Sequence, residues 1–384
     1  MKIAIPKERR ENEKRVAASP DTVKKIVGLG AEVIVETGAG DASSFHDGDF
    51  TEAGATIAAD AATALKDADI VLKVQRPLTT AEGGLDELSL MKSGATLIAQ
   101  LAPLQNREQV AEYAKAGVNA VAMELVPRIS RAQSMDVLSS QSNLAGYKAV
   151  LDATHEYGKA LPMMMTAAGT IAPARIFIMG VGVAGLQAIA TARRLGAIVT
   201  ATDVRAATKE QVESLGAKFV MVETDEAGED EGGYAKEMSD DYKKRQAELV
   251  FEHIKKQDIV ITTALIPGRE APILITDEML AVMKPGSVIV DLAVEMGGNV
   301  TQSRPGEVVT TDNGVILVGH RNVPSRLASD ASALYAKNLL NFLTPMVDKE
   351  TGALAMNWED EIILGSALTR DGKIIHPLLT EGGN

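Results

Sequence analysis

Hydrophobic positions along the chain fall into a recurring unit, in which a helix-period segment closes on glycine and a short β-branched run follows. LGAEVIVE at 29–36, AGVNAVAME at 116–124, LGAIVTATD at 195–203 and LGAKFVMVE at 215–223 all have this form. Glycine just past a helix adopts the left-handed C′ conformation without steric cost, and the short apolar run after it reads as a buried parallel strand. Repetition of helix, glycine and strand predicts a doubly wound α/β architecture. The spacing of the units is too uneven for a solenoid.

Two copies of that architecture are predicted. The first runs from the strand KIAIP (2–6) through IVLKV (70–74) and TLIAQLAP (96–103) to AVAMEL (120–125). The second starts with RIFIMG (175–180) and continues through IVTATD (198–203), FVMVE (219–223), DIVITTA (258–264) and SVIVDLA (287–293). NLAGYKAVLDATHEYG (143–158) suits a linking helix, and SRLASDASALYAKNLLNFLTPM (325–346) a long return helix ended by Pro345. The expected division is therefore a discontinuous first domain, 1–143 plus 326–384, and a second domain, 144–325. A length of 384 residues accommodates two such cores.

Composition narrows the function classes. Hydrophobic residues make up 46% and charged residues 24%, the balance of a packed protein rather than a disordered one. The absence of cysteine removes disulfides, thiolate chemistry and iron–sulfur sites, and five histidines without HExxH spacing make a metal site unexpected. A net charge of −13 repels nucleic acid and anionic lipid. The N-terminus brings charges too early for a signal peptide, which leaves the cytoplasm as the default location. The charge-free run Ile176 to Ala192 contains three glycines and falls short of the roughly 20 apolar residues of a bilayer span, so no direct membrane insertion is expected.

The sharpest local signal is RIFIMGVGVAGLQAIATARRLGAIVTATD. Gly180, Gly182 and Gly185 form GxGxxG directly between an apolar strand and a helix, with Val181, Val183 and Ala184 filling the loop and Asp203 ending the next strand. The first glycine permits the turn, the second lets backbone approach a pyrophosphate, and the third allows close helix packing. Asp203 stands where an acid accepts from the adenosine ribose 2′-OH, which favours NAD(H) over NADP(H). Val204 and Arg205 follow it, and Arg205 leaves a phosphate-binding alternative open. TTALIPG (262–268), with Ala264 and Leu265, follows the fourth strand of this unit and should border the ribose and nicotinamide.

Two segments remain. RISRAQSMDVLSSQSNL (128–144) is rich in hydrogen-bonding groups yet contains no histidine, cysteine or lysine. ETDEAGEDEGGYAKEMSDD (223–241) has nine carboxylates around Tyr234 and reads either as a solvated insertion or as a lid.

IPKERRENEKRVAASP, LKVQRP, the GxGxxG unit and IPGREAPILITDEMLAVMKPGSVIVDLAVEMGG together resemble the family of alanine dehydrogenases and NAD(H)-binding transhydrogenase components, over nearly the whole chain. The resemblance implies two Rossmann-like domains with the nicotinamide in the cleft between them, and a homodimer built mainly through the NAD-binding domains. In the alanine dehydrogenase branch a catalytic lysine stands where this chain has Gln75 and a catalytic histidine where it has Gln100. An amide does not titrate, so both proton-handling groups of that branch are missing. Arg15, which would bind a substrate carboxylate, reads here as a structural ion pair, and Glu295 replaces an aspartate.

A transhydrogenase passes hydride directly between two nicotinamides and needs positioning at about 3–3.5 Å rather than proton transfer. By resemblance to that branch, Arg128, Asp136 and Ser139 hold the nicotinamide carboxamide end of NAD(H), and Gln133 reaches toward NADP(H) on a separate partner. The alternative for individual serines is a helix cap by Ser139, Ser140 or Ser142. A mobile loop of that branch matches the segment around Tyr234. The implied protein is the soluble NAD(H)-binding component of a proton-translocating transhydrogenase in split form, working with an NADP(H)-binding component and a membrane-spanning component, peripheral to the membrane through them.

Overall fold

The computed structural model describes residues 1–222, 239–266, 268–348 and 350–380. The chain divides into two compact units, Met1–Gln141 with Ser325–Asn384, and Ser142–Pro324.

The first unit is built on six parallel strands: β1 (Lys2–Ile5), β2 (Glu32–Glu36), β3 (Thr56–Ala58), β4 (Ile70–Gln75), β5 (Thr96–Gln100) and β6 (Asn119–Ala122), in the spatial order β3-β2-β1-β4-β5-β6. This is the doubly wound order, with its switch point between β1 and β4. Alternation along the strands sorts side chains to two faces. Ile3, Ile5, Val33, Val35, Ile70 and Leu72 join one buried cluster, and Ala4, Val71, Leu97, Ala99 and Ala120 the other. The helix Ala328–Leu343 buries Tyr335, Leu339, Phe342 and Leu343 in the first of these.

The second unit begins with a hairpin, β7 (Met164–Thr166) and β8 (Gly169–Ile171), whose residues are all exposed. Seven further strands follow: β9 (Arg175–Met179), β10 (Ile198–Thr202), β11 (Lys218–Phe219), β12 (Ile259–Thr262), β13 (Val288–Asp291), β14 (Val308–Thr310) and β15 (Ile316–Val318). Their order is β11-β10-β9-β12-β13-β15-β14, parallel except for the antiparallel edge pair β14 and β15. Here the switch point lies between β9 and β12. Both sheets belong to the α/β doubly wound class that the repeating pattern predicts.

Several boundaries differ from the sequence reading, each for a local reason. The run 96–103 stops pairing at Gln100, because the Leu101 and Ala102 amides turn to the Glu124 carboxylate and Ala102 adopts φ +46°. The run 120–125 ends at Ala122, where Met123–Leu125 tightens into a 3₁₀ turn. The linking helix starts earlier than 143, spanning Val137–Glu156, and the return helix ends at Leu343 before a 3₁₀ turn containing Pro345. Asp240 and Asp241, read as part of the acidic loop, form the first turn of the helix Asp240–Ile254, capped by the Ser239 hydroxyl. Carboxylates are favoured there by the helix dipole. Tyr234 lies outside the described residues. The hairpin β7 and β8 has no counterpart in the sequence reading, since its residues show no alternation of apolar and polar positions.

Candidate functional site

In the second unit the glycine loop leaves β9 at the switch point. Gly180 has φ +99°, a conformation L side chains rarely adopt, and a Cβ there would press on the Thr263 hydroxyl. A Cβ on Gly185 would overlap the Gly180 carbonyl oxygen, so the helix Val183–Arg194 approaches the turn as closely as its backbone permits. Around Gly182 the opposite holds: an added Cβ meets nothing within 4 Å. The 12-residue helix that Gly182 opens has no side-chain cap. An uncapped N-terminus beside open space at a backbone glycine fits an anionic phosphate group, which its amides and dipole would stabilise.

Asp203 closes the other side of this loop. Its Oδ2 accepts the Val181 amide at 2.7 Å, and its two oxygens also accept from the Arg205 backbone N–H (2.9 Å) and from Nε and an Nη of the Arg205 guanidinium (2.9 and 2.8 Å). The side chain is almost fully buried. Arg205 is therefore committed to the carboxylate, and a guanidinium so paired is poorly placed to serve a 2′-phosphate. Val204, between them, is half-buried.

After β12, Thr263 Oγ1 donates to the Gly180 carbonyl at 3.1 Å, so the fourth-strand loop and the glycine loop brace each other. Ala264 is held on both sides by one buried side chain: its amide donates to Asn299 Oδ1 (3.0 Å) and its carbonyl accepts from Asn299 Nδ2 (2.9 Å). Asn299 Nδ2 also donates to the Pro272 carbonyl (2.8 Å). The amides of Asn299 and Ala293 donate in turn to Asp291 at 2.9 and 3.0 Å. Burial raises the Asp291 carboxyl above its ordinary range, while these amide bonds oppose the rise. Asp291 and Asn299 were missed by sequence reading; the signal available was an acid at a strand end followed by Gly-Gly-Asn. Leu265, next in the loop, is 49% exposed.

In the first unit, the segment 128–139 is a loop anchored from below. Ser130–Met135 forms a 3₁₀ helix that buries Ala132 and Met135 and leaves Arg128 and Gln133 exposed. Asp136 Oδ1 accepts the Ser139 amide (2.9 Å) and Oδ2 accepts the Ser139 hydroxyl (2.6 Å), which caps the helix Val137–Glu156. The cap is thus Asp136 and not one of the serines. Arg131 makes a two-pronged ion pair with Asp360 at 3.0 and 2.7 Å.

Gln75 and Gln100 are register partners at the ends of β4 and β5. Gln75 Nε2 donates to Glu13 Oε2 at 2.7 Å, and Glu13 clasps Arg15 through Nε and an Nη (2.8 and 2.6 Å). Arg15, 4% exposed, also donates to Gln141 Oε1 at 2.8 Å. Arg15 is therefore in a buried internal ion pair. Glu295, in the second unit, accepts the Asn322 amide at 2.8 Å.

The family model described as alanine dehydrogenase/PNT, N-terminal domain, matches residues 4–145, and the corresponding C-terminal domain matches residues 149–377. The chain belongs to the alanine dehydrogenase/PNT family. Within that family it is 64% identical to the first portion of the NAD(P) transhydrogenase subunit alpha of Rhodospirillum rubrum, a separate chain in that organism, over 100% of both chains. It is 30% identical to the alanine dehydrogenase of Halomonas elongata, over 99% of this chain and 96% of that one. Among solved structures, a transhydrogenase from Sinorhizobium meliloti superposes with a TM-score of 0.88 at 55% identity, covering 98% of this chain and 100% of that one.

Proposed function

We propose that this chain is the NAD(H)-binding component of a proton-translocating nicotinamide nucleotide transhydrogenase, exchanging hydride with NADP(H) held on a partner component. The observation that carries this reading is the 64% identity over full length to a transhydrogenase alpha-subunit chain, against 30% to an alanine dehydrogenase. Side-chain chemistry supports the same choice, since the paired strand ends offer two glutamines and no lysine or histidine.

Gly180, Val181, Gly182, Val183, Ala184 and Gly185 would hold the pyrophosphate of NAD(H), and Asp203, Val204 and Arg205 its adenosine ribose. Ala264 and Leu265 would border the nicotinamide ribose. Arg128, Asp136 and Ser139 are assigned to the nicotinamide carboxamide end, Gln133 to the second nucleotide, and Tyr234 to closure over the bound one. When bound, NADH supplies the hydride. The protein's own work is orientation and exclusion of water, tasks that neutral amides, hydroxyls and one arginine perform without a proton relay.

Among the described residues no helix is long and apolar enough to cross a membrane. Proton passage is accordingly assigned to a membrane-spanning partner, with this chain cytoplasmic and peripheral through it. A homodimer is proposed as well. The hairpin β7 and β8 supports it, because Met163, Met164, Met165 and Ile171 are exposed together, Met165 by 81%; apolar side chains grouped so are suited to burial against a second copy.

Stopped-flow transfer from NADH to an NADP⁺ analogue, with and without the NADP(H)-binding component, tests the function. Transfer is expected only with both proteins present. Oxidation of NADH by the chain alone with pyruvate and ammonia would instead establish an amino-acid dehydrogenase.

A further inference from the structure

The helix Ala328–Leu343 carries two asparagines three positions apart, hence on one face, and both reach the same acceptor. Asn338 Nδ2 donates to the Ser134 carbonyl oxygen at 2.8 Å, and Asn341 Nδ2 donates to it at 3.0 Å. A carbonyl oxygen has two lone pairs, and here side-chain amides take both. Asn338 Oδ1 accepts the Ser140 hydroxyl at 2.7 Å, so one 7% exposed side chain ties the 3₁₀ loop to the first turn of the helix that follows it.

Asn338 sits among Leu339, Phe342 and Leu343, where an apolar residue would ordinarily be favoured. A buried amide costs free energy unless its hydrogen bonds are made, and these bonds go to the residue beside Gln133. Gln133 is the exposed position between buried Ala132 and the held Ser134 carbonyl. With the peptide unit on its C-terminal side clamped, the direction in which its side chain leaves the loop is set from beneath.

We propose that Asn338, assisted by Asn341, is a positioning residue for hydride transfer, acting through Ser134 to aim Gln133 at the second nucleotide. This deepens the functional reading above and rests on it. Misplacement of a reacting partner by about 1 Å costs up to about 100-fold in rate, whereas binding of the first nucleotide needs no such aim.

The experiment uses the full chain with the NADP(H)-binding component, measuring the NADH dissociation constant by fluorescence and the transfer rate by stopped flow. Asn338→Asp preserves volume and the bond from Ser140 but presents an acceptor to the Ser134 carbonyl. It should slow transfer by about 10-fold or more with the NADH dissociation constant changed less than about two-fold. Combined with Gln133→Asn it should add little, because both changes act on one contact. Asn341→Ala, at a half-buried position that tolerates truncation, should slow transfer in the same direction by a smaller factor, and it decides the matter if Asn338→Asp does not fold. Wild-type transfer rates in these variants, or losses that multiply with that of Gln133→Asn, overturn the positioning role alone. An inert wild-type pair overturns the functional reading and this proposal together.

Discussion

Asp203 and Val181 are joined by a 2.7 Å hydrogen bond in which the carboxylate at the end of β10 accepts the amide of the glycine loop after β9. The residue assigned to the ribose therefore also shapes the loop assigned to the pyrophosphate. Asp203→Ala should weaken NADH by about 10-fold, or about 1.4 kcal/mol, in a fluorescence titration. Asp203→Asn keeps an acceptor for Val181 and should lose less; equal losses would show that the loop contact is irrelevant to binding.

Gln133 is exposed and projects from a loop whose neighbours are anchored. Shortening it by one methylene in Gln133→Asn should leave the NADH dissociation constant within about two-fold while transfer slows by about 10-fold or more. A parallel loss of NADH affinity in the same titration would contradict the assignment to the second nucleotide.

Gly185→Ala places a methyl group on the Gly180 carbonyl oxygen, a backbone atom that has no rotamer to escape into. Calorimetry should record destabilisation of the second unit by about 2 kcal/mol or more, together with loss of NADH binding. A variant with wild-type stability and affinity would mean that the helix and turn are not packed as described.

Glu124 couples stability to pH. Its Oε1 accepts the amides of Leu101 and Ala102 at 2.8 and 2.5 Å, while Oε2 is buried without a hydrogen-bond partner. Burial pushes the carboxyl up to about 7, against the pull of the amide bonds. The folded state thus binds its proton more tightly than the unfolded chain does. This contribution to stability is complete below the ordinary carboxyl range and is lost as pH rises toward about 7. Glu124→Gln retains the acceptor and cannot ionise. Its melting temperature relative to wild type should rise between pH 5 and pH 8, and a pH-independent difference would refute the argument.

Much of the architecture is local in origin and so was legible. The strand–GxGxxG–helix passage from Arg175 to Arg194 encodes its own turn, because Gly180 must accept a positive φ and Gly185 must lack a Cβ. The alternation that sorts Ile3 and Ala4 to opposite faces follows from the two-residue period of a strand. Charge and composition likewise excluded whole classes of chemistry without any fold.

What only the tertiary structure decided are bonds between a side chain and a distant backbone. Asn299 reads as part of a glycine turn until Ala264 is seen between its two amide atoms, 35 positions away. Asn338 reads as one polar position in an apolar helix until the Ser134 carbonyl, 204 positions away, is seen at its Nδ2. Asp136 reads as a ligand-facing acid or a loop residue until it is seen capping a helix. Periodicity reports which face of an element is buried, because that depends on neighbours a few residues away. A buried amide's partner depends on which elements the topology brings together, and that is set by the packing of the whole unit.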